Sequence, residues 1–269
     1  MRSLSGIMLA LPLIGQAIAI KTSDDVQKAM HDDGMEMQHY PSWQESAVLA
    51  RRLLAKANVA TFSTVYPAHP KGRATKDLGG MPVGLPEYYA DCASVDDDLV
   101  DVLGEGNPLV LGLNIGTTFK NVKEGSNLTI TIDWWSNNHV DQEGLRSDPQ
   151  AFIRAVDQGE IDTEGMLDHA QANMPRMSLI GYLENLPKLD DDVREKVENC
   201  FVDSHPDAVM WLPGHDDAAH RGFWARLVVQ RILWVGGFGD RARIGWLDAH
   251  TWRNVQKADW EAVRLPGEN

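Results

Sequence analysis

The longest strand this chain can form runs from Phe223 to Val235. Leu227, Val229, Leu233 and Val235 fall on one face, Trp224, Arg226, Gln230 and Trp234 on the other, and Gly236-Gly237-Phe238-Gly239 ends the run. A strand of that length belongs in a barrel, where strands bend around a core. Other segments agree: Val59 to Val65, rich in Thr and Val; Glu87 to Cys92, short; Leu109 to Ile115, apolar throughout; and Met177 to Leu186. Asn127 to Trp135 alternates, with Leu128, Ile130, Ile132 and Trp134 on one side. The stretch from Val65 to Pro86 is full of Gly and Pro and is expected to be largely loop.

Helices enter singly between these strands. Ser42-Trp43-Gln44-Glu45 after Pro41 is a capping-box pattern, and Trp43, Ala47, Ala50, Leu54 and Ala57 recur on one helical face. Asp96-Asp97-Asp98 gives a second helix an acidic start, which complements its dipole, and Gly104 to Pro108 ends it. Val193, Val197 and Phe201 mark a third, stopping before His205-Pro206. The class is therefore mostly β, a mostly antiparallel barrel with peripheral helices. The chain divides into a signal peptide at 1–19, an aperiodic acidic arm at 20–40 and one barrel domain at 41–269. That domain carries a polar insertion at about 136–173, with a short helix expected around Phe152 to Val156.

The compartment follows from the first residues. Arg2, the apolar run Ile7 to Ile14 and the small-x-small end Ala17-Ile18-Ala19 make a secretory signal. No window approaches the ~20 apolar residues of a bilayer span, so no membrane association is expected. Extracellular or vacuolar delivery is the expectation. In an oxidising route the only two cysteines, Cys92 and Cys200, are expected to pair, closing a loop of about 108 residues worth at most ~4.7 kcal/mol by chain entropy. Asn127-Leu128-Thr129 is a glycosylation sequon, which requires Asn127 to face solvent. A net charge of −14 repels phosphate backbones, so nucleic acid is not an expected partner.

The order of short motifs adds a resemblance. The capped helix leading into Ala60-Thr61-Phe62-Ser63-Thr64, Glu87-Tyr88-Tyr89-Ala90-Asp91-Cys92, the Gly106-Asn107-Pro108 exit, and Ser178-Leu179-Ile180-Gly181-Tyr182-Leu183 resemble segments of one family. So do Phe201 with His205-Pro206, and Trp234-Val235-Gly236-Gly237-Phe238-Gly239. The family is the CREG-like secreted glycoproteins, within the flavin-binding split barrels of the pyridoxamine phosphate oxidase type. The resemblance spans about Trp43 to Val255. It implies a six-stranded antiparallel split barrel, usually a homodimer, whose superfamily holds flavin in a groove between subunits, although CREG-like members are generally thought not to use it. The insertion at 136–173 departs from the simpler family pattern.

The residues argue against FMN. A flavin phosphate needs a fork of cationic and N–H donors, and the fold usually supplies an Arg on its second strand. Met81 to Cys92 contains no Arg or Lys and carries Glu87 and Asp91 instead. Thr117, Thr118 and Lys120 are the best remaining phosphate donors, more simply read as a solvated loop. His215, Asp216, Asp217 and His220, like His31, Asp32, Glu36 and His39, lack fixed zinc spacing, and no metal site is expected. No Gly-x-Ser-x-Gly elbow is present.

Aromatic residues remain, nine of them Trp. A groove lined by Tyr89, Lys120, Trp134, Trp135, His205, Trp224, Arg226 and Trp246 would hold a flat organic molecule and hydrogen-bond its polar edge, although such rings also fill cores and interfaces. Three functions follow. The preferred one is a small-molecule site without cofactor which, if catalytic, promotes a cyclisation, cycloaddition or isomerisation by orientation and hydrogen bonding. The others are an FMN-dependent oxidoreductase and a non-enzymatic glycoprotein that binds a protein partner.

Overall fold

The computed structural model describes residues 40–70, 76–137, 150, 153–154, 157–159, 170–214, 220–239 and 242–268. The signal peptide, nearly all of the arm, most of the insertion, and both clusters of metal-type residues except His220 lie outside them; of the helix expected around Phe152 to Val156 only Ile153 and Arg154 are described, both helical.

Helix α1 (Trp43–Lys56) begins as its sequence dictates. Ser42 Oγ accepts the Glu45 N–H at 3.1 Å, and Glu45 Oε2 accepts the Ser42 N–H at 2.7 Å. Ala47, Ala50, Leu53 and Leu54 are buried. Trp43, expected on that face, is exposed and lies under the Arg243 guanidinium, 4.9 Å from the ring centre.

Strands β1 (Val59–Val65), β2 (Pro82–Ala90), β3 (Leu109–Leu113), β4 (Leu128–Asp133), β5 (Arg176–Asn185) and β6 (Gly222–Val235) form an antiparallel sheet in the order β3-β2-β1-β4-β5-β6. A β3–β6 pairing closes it into a six-stranded barrel, and β7 (Ile244–Leu247) adds a seventh strand on β6. The length of β6 has a specific cause. One edge pairs with β5 from Ala225 to Val235, while the other serves β3 through Gly222–Arg226 and then β7 through Ile232–Val235.

Three expectations need correcting. The alternation along β6 does not hold its phase: Ile180 faces Arg231 but Gly181 faces Val229, so Gln230 is an extra residue, a β-bulge. The core takes Ala225, Leu227 and Val229 before the bulge but Ile232 and Trp234 after it, leaving Leu233 and Val235 half-buried on the other face. A Cβ at Gly181 would overlap the Val228 carbonyl oxygen, so the bulge requires glycine there. Strand β2 starts at Pro82, inside the expected loop. From Pro82 to Tyr88 it pairs only with β1, and this unpaired second edge tolerates Pro82 and Pro86. Finally, β4 stops at Asp133, whose Oδ1 accepts the Ser136 N–H at 2.7 Å, so Trp134 and Trp135 open the one-turn helix α4 (Trp134–Asn137) instead of continuing the strand.

Two apolar clusters result. The first fills the barrel and continues under α1 to the C-terminal segment, and includes Phe62, Tyr89, Ile130, Leu179, Trp234, Trp252 and Trp260. Arg52 of α1 donates twice to Glu268, fastening that segment. The second lies outside β2 and β3 against the short helix α2 (Val100–Leu103) and helix α5 (Asp191–Ser204) and includes Leu99, Leu103, Val197, Phe201 and Trp224. Cys92 and Cys200 are bonded across it.

Candidate functional site

The eight expected site residues do not gather in one place. Tyr89 is fully buried in the first cluster, its hydroxyl donating to the Leu54 carbonyl at 3.2 Å, and burial pushes its pKa well up. His205 is buried beside the second. Its Nε2 lies 2.9 Å from the Tyr89 carbonyl oxygen, its ring stacks on Tyr88 at 4.5 Å, and burial lowers its pKa. Trp134 donates its indole N–H to Pro266 at 2.7 Å, and Trp135 is half-buried with the Arg176 guanidinium 6.0 Å from its ring centre. Arg226 donates to Glu184 Oε2 through Nε at 2.9 Å and Nη2 at 2.8 Å, and to the Val102 carbonyl at 3.0 Å. Trp246 is 54% exposed on β7.

Lys120 and Trp224 line cavities. Between helix α3 (Thr117–Lys123) and the neighbouring ends of β5 and β6 opens a groove of about 820 Å³. Phe119, Val122, Leu183 and Phe223 are its apolar lining, with Lys120, Lys123, Glu124, Glu184, Asn114 and Asn185 around them. The Phe119 and Phe223 rings meet edge to face, 5.6 Å between centres. The Lys120 and Lys123 ammonium groups have no partner among the described residues, whereas Glu184 is held by Arg226 and Glu124 has a contact of its own. Apolar rings and positive charge thus stand side by side in this groove.

A second cavity of about 330 Å³ adjoins the first, because Asn185 and Phe223 line both. Trp224 lines it, 7% exposed and set edge-on against Phe201 at 5.2 Å; its buried Nε1 has no acceptor among the described residues. Phe223 is the residue sequence reading missed. It pairs across the sheet with Gly112, where a Cβ would overlap its ring, so glycine at 112 is what lets the ring lie flat over β3. Only the β3–β6 register reveals that.

The hydroxyl of Thr118, one of the expected phosphate donors, donates to Glu87 Oε1 at 3.0 Å, and burial raises the Glu87 pKa against that bond. With Thr118 and Arg226 both engaged, and Asn114 donating its amide to the Arg221 carbonyl at 2.9 Å, the donors left at the groove are two lysines and the Asn185 amide. This set does not fit the fork a flavin phosphate requires. A separate buried network joins α1 to the second cluster. Arg51, 1% exposed, donates to Ser94 Oγ at 3.1 Å, Glu105 Oε2 at 3.0 Å and the Trp252 carbonyl at 3.3 Å, while Ser94 donates to Asp91 at 2.6 Å. Burial raises the Asp91 pKa and Arg51 opposes the rise.

A closed six-stranded antiparallel barrel with helices at its periphery is the split-barrel class. Residues 41–254 match the family model described as CREG, beta-barrel, and the chain belongs to that family. No curated protein matches in sequence. Among solved structures, a heme binding protein from Mycobacterium smegmatis is 19% identical, with a TM-score of 0.46 over 81% of this chain and 62% of that one. This chain thus spans under two thirds of that protein's length. ChuZ of Campylobacter jejuni is 10% identical, with a TM-score of 0.46 over 88% and 73% of the two chains. A FAD-binding protein from Mesorhizobium loti is 12% identical, with a TM-score of 0.36 over 68% and 88%. Among the described residues no helix is long and apolar enough to cross a membrane, and no group of three or more metal-type side chains forms.

Proposed function

We propose that this CREG-family barrel binds a small organic molecule with an acidic group in the groove between α3 and the β5–β6 ends, without flavin. The observation that carries this reading is the pairing of an apolar lining, Phe119, Leu183 and Phe223, with the unpartnered ammonium groups of Lys120 and Lys123. Apolar burial supplies affinity, and the lysines select for negative charge in a protein whose net charge otherwise repels it. If the bound molecule reacts, the groove acts by holding its ends together while a lysine polarises a carbonyl, the means of a cofactor-free cyclisation, cycloaddition or isomerisation.

The secretory route is part of the proposal. It is supported by the signal-like start of the sequence, the bonded cysteines and the exposure of Asn127 just ahead of β4. A homodimer is also proposed, supported by exposed Tyr182 on β5 and exposed Ile244 and Trp246 on β7, the strands on either edge of β6.

Native mass spectrometry of the protein purified from its own host tests all of this together. We expect a colourless dimer carrying glycan at Asn127 and a small organic anion, and the double variant K120A/K123A is expected to lose the anion. Retained FMN, or an anion that survives loss of both lysines, overturns the reading.

A further inference from the structure

Asn127 stands one residue ahead of β4, and the register of the neighbouring strands fixes what surrounds it. Leu128 pairs with Gly181 of β5. One step further along this antiparallel ladder Asn127 lies opposite Tyr182, and directly opposed residues share a face with their Cβ atoms ~4.5–5.5 Å apart. Leu128 is buried in the barrel, so alternation turns Asn127 and Tyr182 outward; both are exposed, Tyr182 at 45%. On the other flank Thr129 pairs with Ser63 of β1, and Ser126 Oγ accepts the Val65 N–H at 2.9 Å, which brings exposed Val65 alongside. The one glycosylation sequon of the chain, Asn127-Leu128-Thr129, is thus set between two exposed apolar side chains.

The first sugar of an N-linked chain, an N-acetylglucosamine, presents a face of C–H groups that stacks on an aromatic ring while its hydroxyls stay in water. We propose that the glycan on Asn127 is packed against the sheet, its first N-acetylglucosamine lying over the Tyr182 ring and beside Val65, so that it forms part of the outer wall of the barrel. This rests on the secretory reading above, which supplies the glycan, and adds where the sugar sits and what it does. Lys123 and Glu124 shortly precede Asn127, and Leu183 follows Tyr182; all three line the larger groove, so the covered pair lies at its rim. A Tyr182 covered by sugar is withdrawn from a partner subunit, which leaves Ile244 and Trp246 on β7 to carry the homodimer.

Thermal unfolding of the secreted protein tests the packing, with intact mass spectrometry reading the occupancy of Asn127. Trimming by an endoglycosidase that leaves only the first N-acetylglucosamine is expected to leave Tm unchanged. N127Q, which removes the whole chain, is expected to lower it by about 3 °C, the size of one aromatic contact in a domain this large. Y182A is expected to lower Tm of the glycosylated protein by a similar amount and to add nothing in the N127Q background, whereas Y182F keeps the ring and is expected to match wild type. The comparison of the trimmed protein with N127Q leaves Tyr182 in place, so it decides the matter even where Y182A does not fold. If Asn127 carries sugar but N127Q unfolds at the Tm of the single-sugar form, or if the N127Q and Y182A effects add, the packing is overturned and the secretory reading stands. An unmodified Asn127 overturns the packing and the glycan together.

Discussion

The two apolar clusters are held by different means. The first is enclosed by the barrel strands and capped by α1, and the barrel closes through backbone pairing of β3 with β6. The second has strands on one side only. Its other walls are α5 and short helical turns, and a covalent bond from Cys92 to Cys200 holds them together. A sheet that closes on itself needs no further fastening, whereas a layer of short elements has few cooperative contacts and gains more from a cross-link. The smaller cavity opens where the two meet, with Phe223 of the first and Trp224 of the second in its wall, whereas the apolar lining of the larger groove belongs to the first alone.

Breaking the bond is the strongest way to test this contrast. The double variant C92A/C200A is expected to lose up to ~4.7 kcal/mol in denaturant unfolding, from the loop-entropy relation for a separation of 108 residues. Amide exchange should accelerate in 92–103 and 191–211 well before the barrel strands. Equal acceleration in both regions would show that the clusters are one cooperative unit.

Arg51 bridges the regions from α1 to Ser94, beside the disulfide. Removing a buried guanidinium leaves its carboxylate partners without compensation, so R51A is expected to cost about 3 kcal/mol in the same measurement. A neutral result would show that water or rearrangement satisfies Asp91 and Glu105.

The smallest effect is a pH dependence confined to the second region. Burial lowers the folded pKa of His205 below its ordinary value of about 6.5. A depressed histidine binds fewer protons folded than unfolded, so its contribution is present above about pH 6.5 and lost as pH falls through the folded pKa. Glu87 and Asp91, with raised pKa values, work in the opposite direction: the stability they contribute is present in acid and lost as pH rises through their folded values. The His205 part is therefore read as the difference between wild type and H205Q in thermal unfolding across this range. Parallel curves for the two proteins would refute it.

Local chemistry explains what could be read early. The capping box at Ser42 and Glu45, the Thr- and Val-rich β1, and the spacing of Val197 and Phe201 in α5 each state a preference that the fold keeps, and the only two cysteines had only each other. The site was less legible because aromatic identity does not report direction. Tyr89 and Trp134 are core residues whose polar atoms found backbone carbonyls, while Phe223, the divider between the cavities, carried no polar group to draw notice.

Residue order alone was enough to specify helices α1 and α5, most of the strands, the strand-dominated class and the two ends of the disulfide, since each depends on spacing within a short window or on a count, whereas α3 was read as a solvated loop and Trp134 and Trp135 as strand. The inward phase of β6 beyond Gln230, the burial of Trp234, and the meeting of Gly112 with Phe223 depend on which strands lie side by side. One inserted residue reverses a period of two, and a cavity exists only between segments far apart in the chain. Neither has a local signature, so both had to come from the folded barrel.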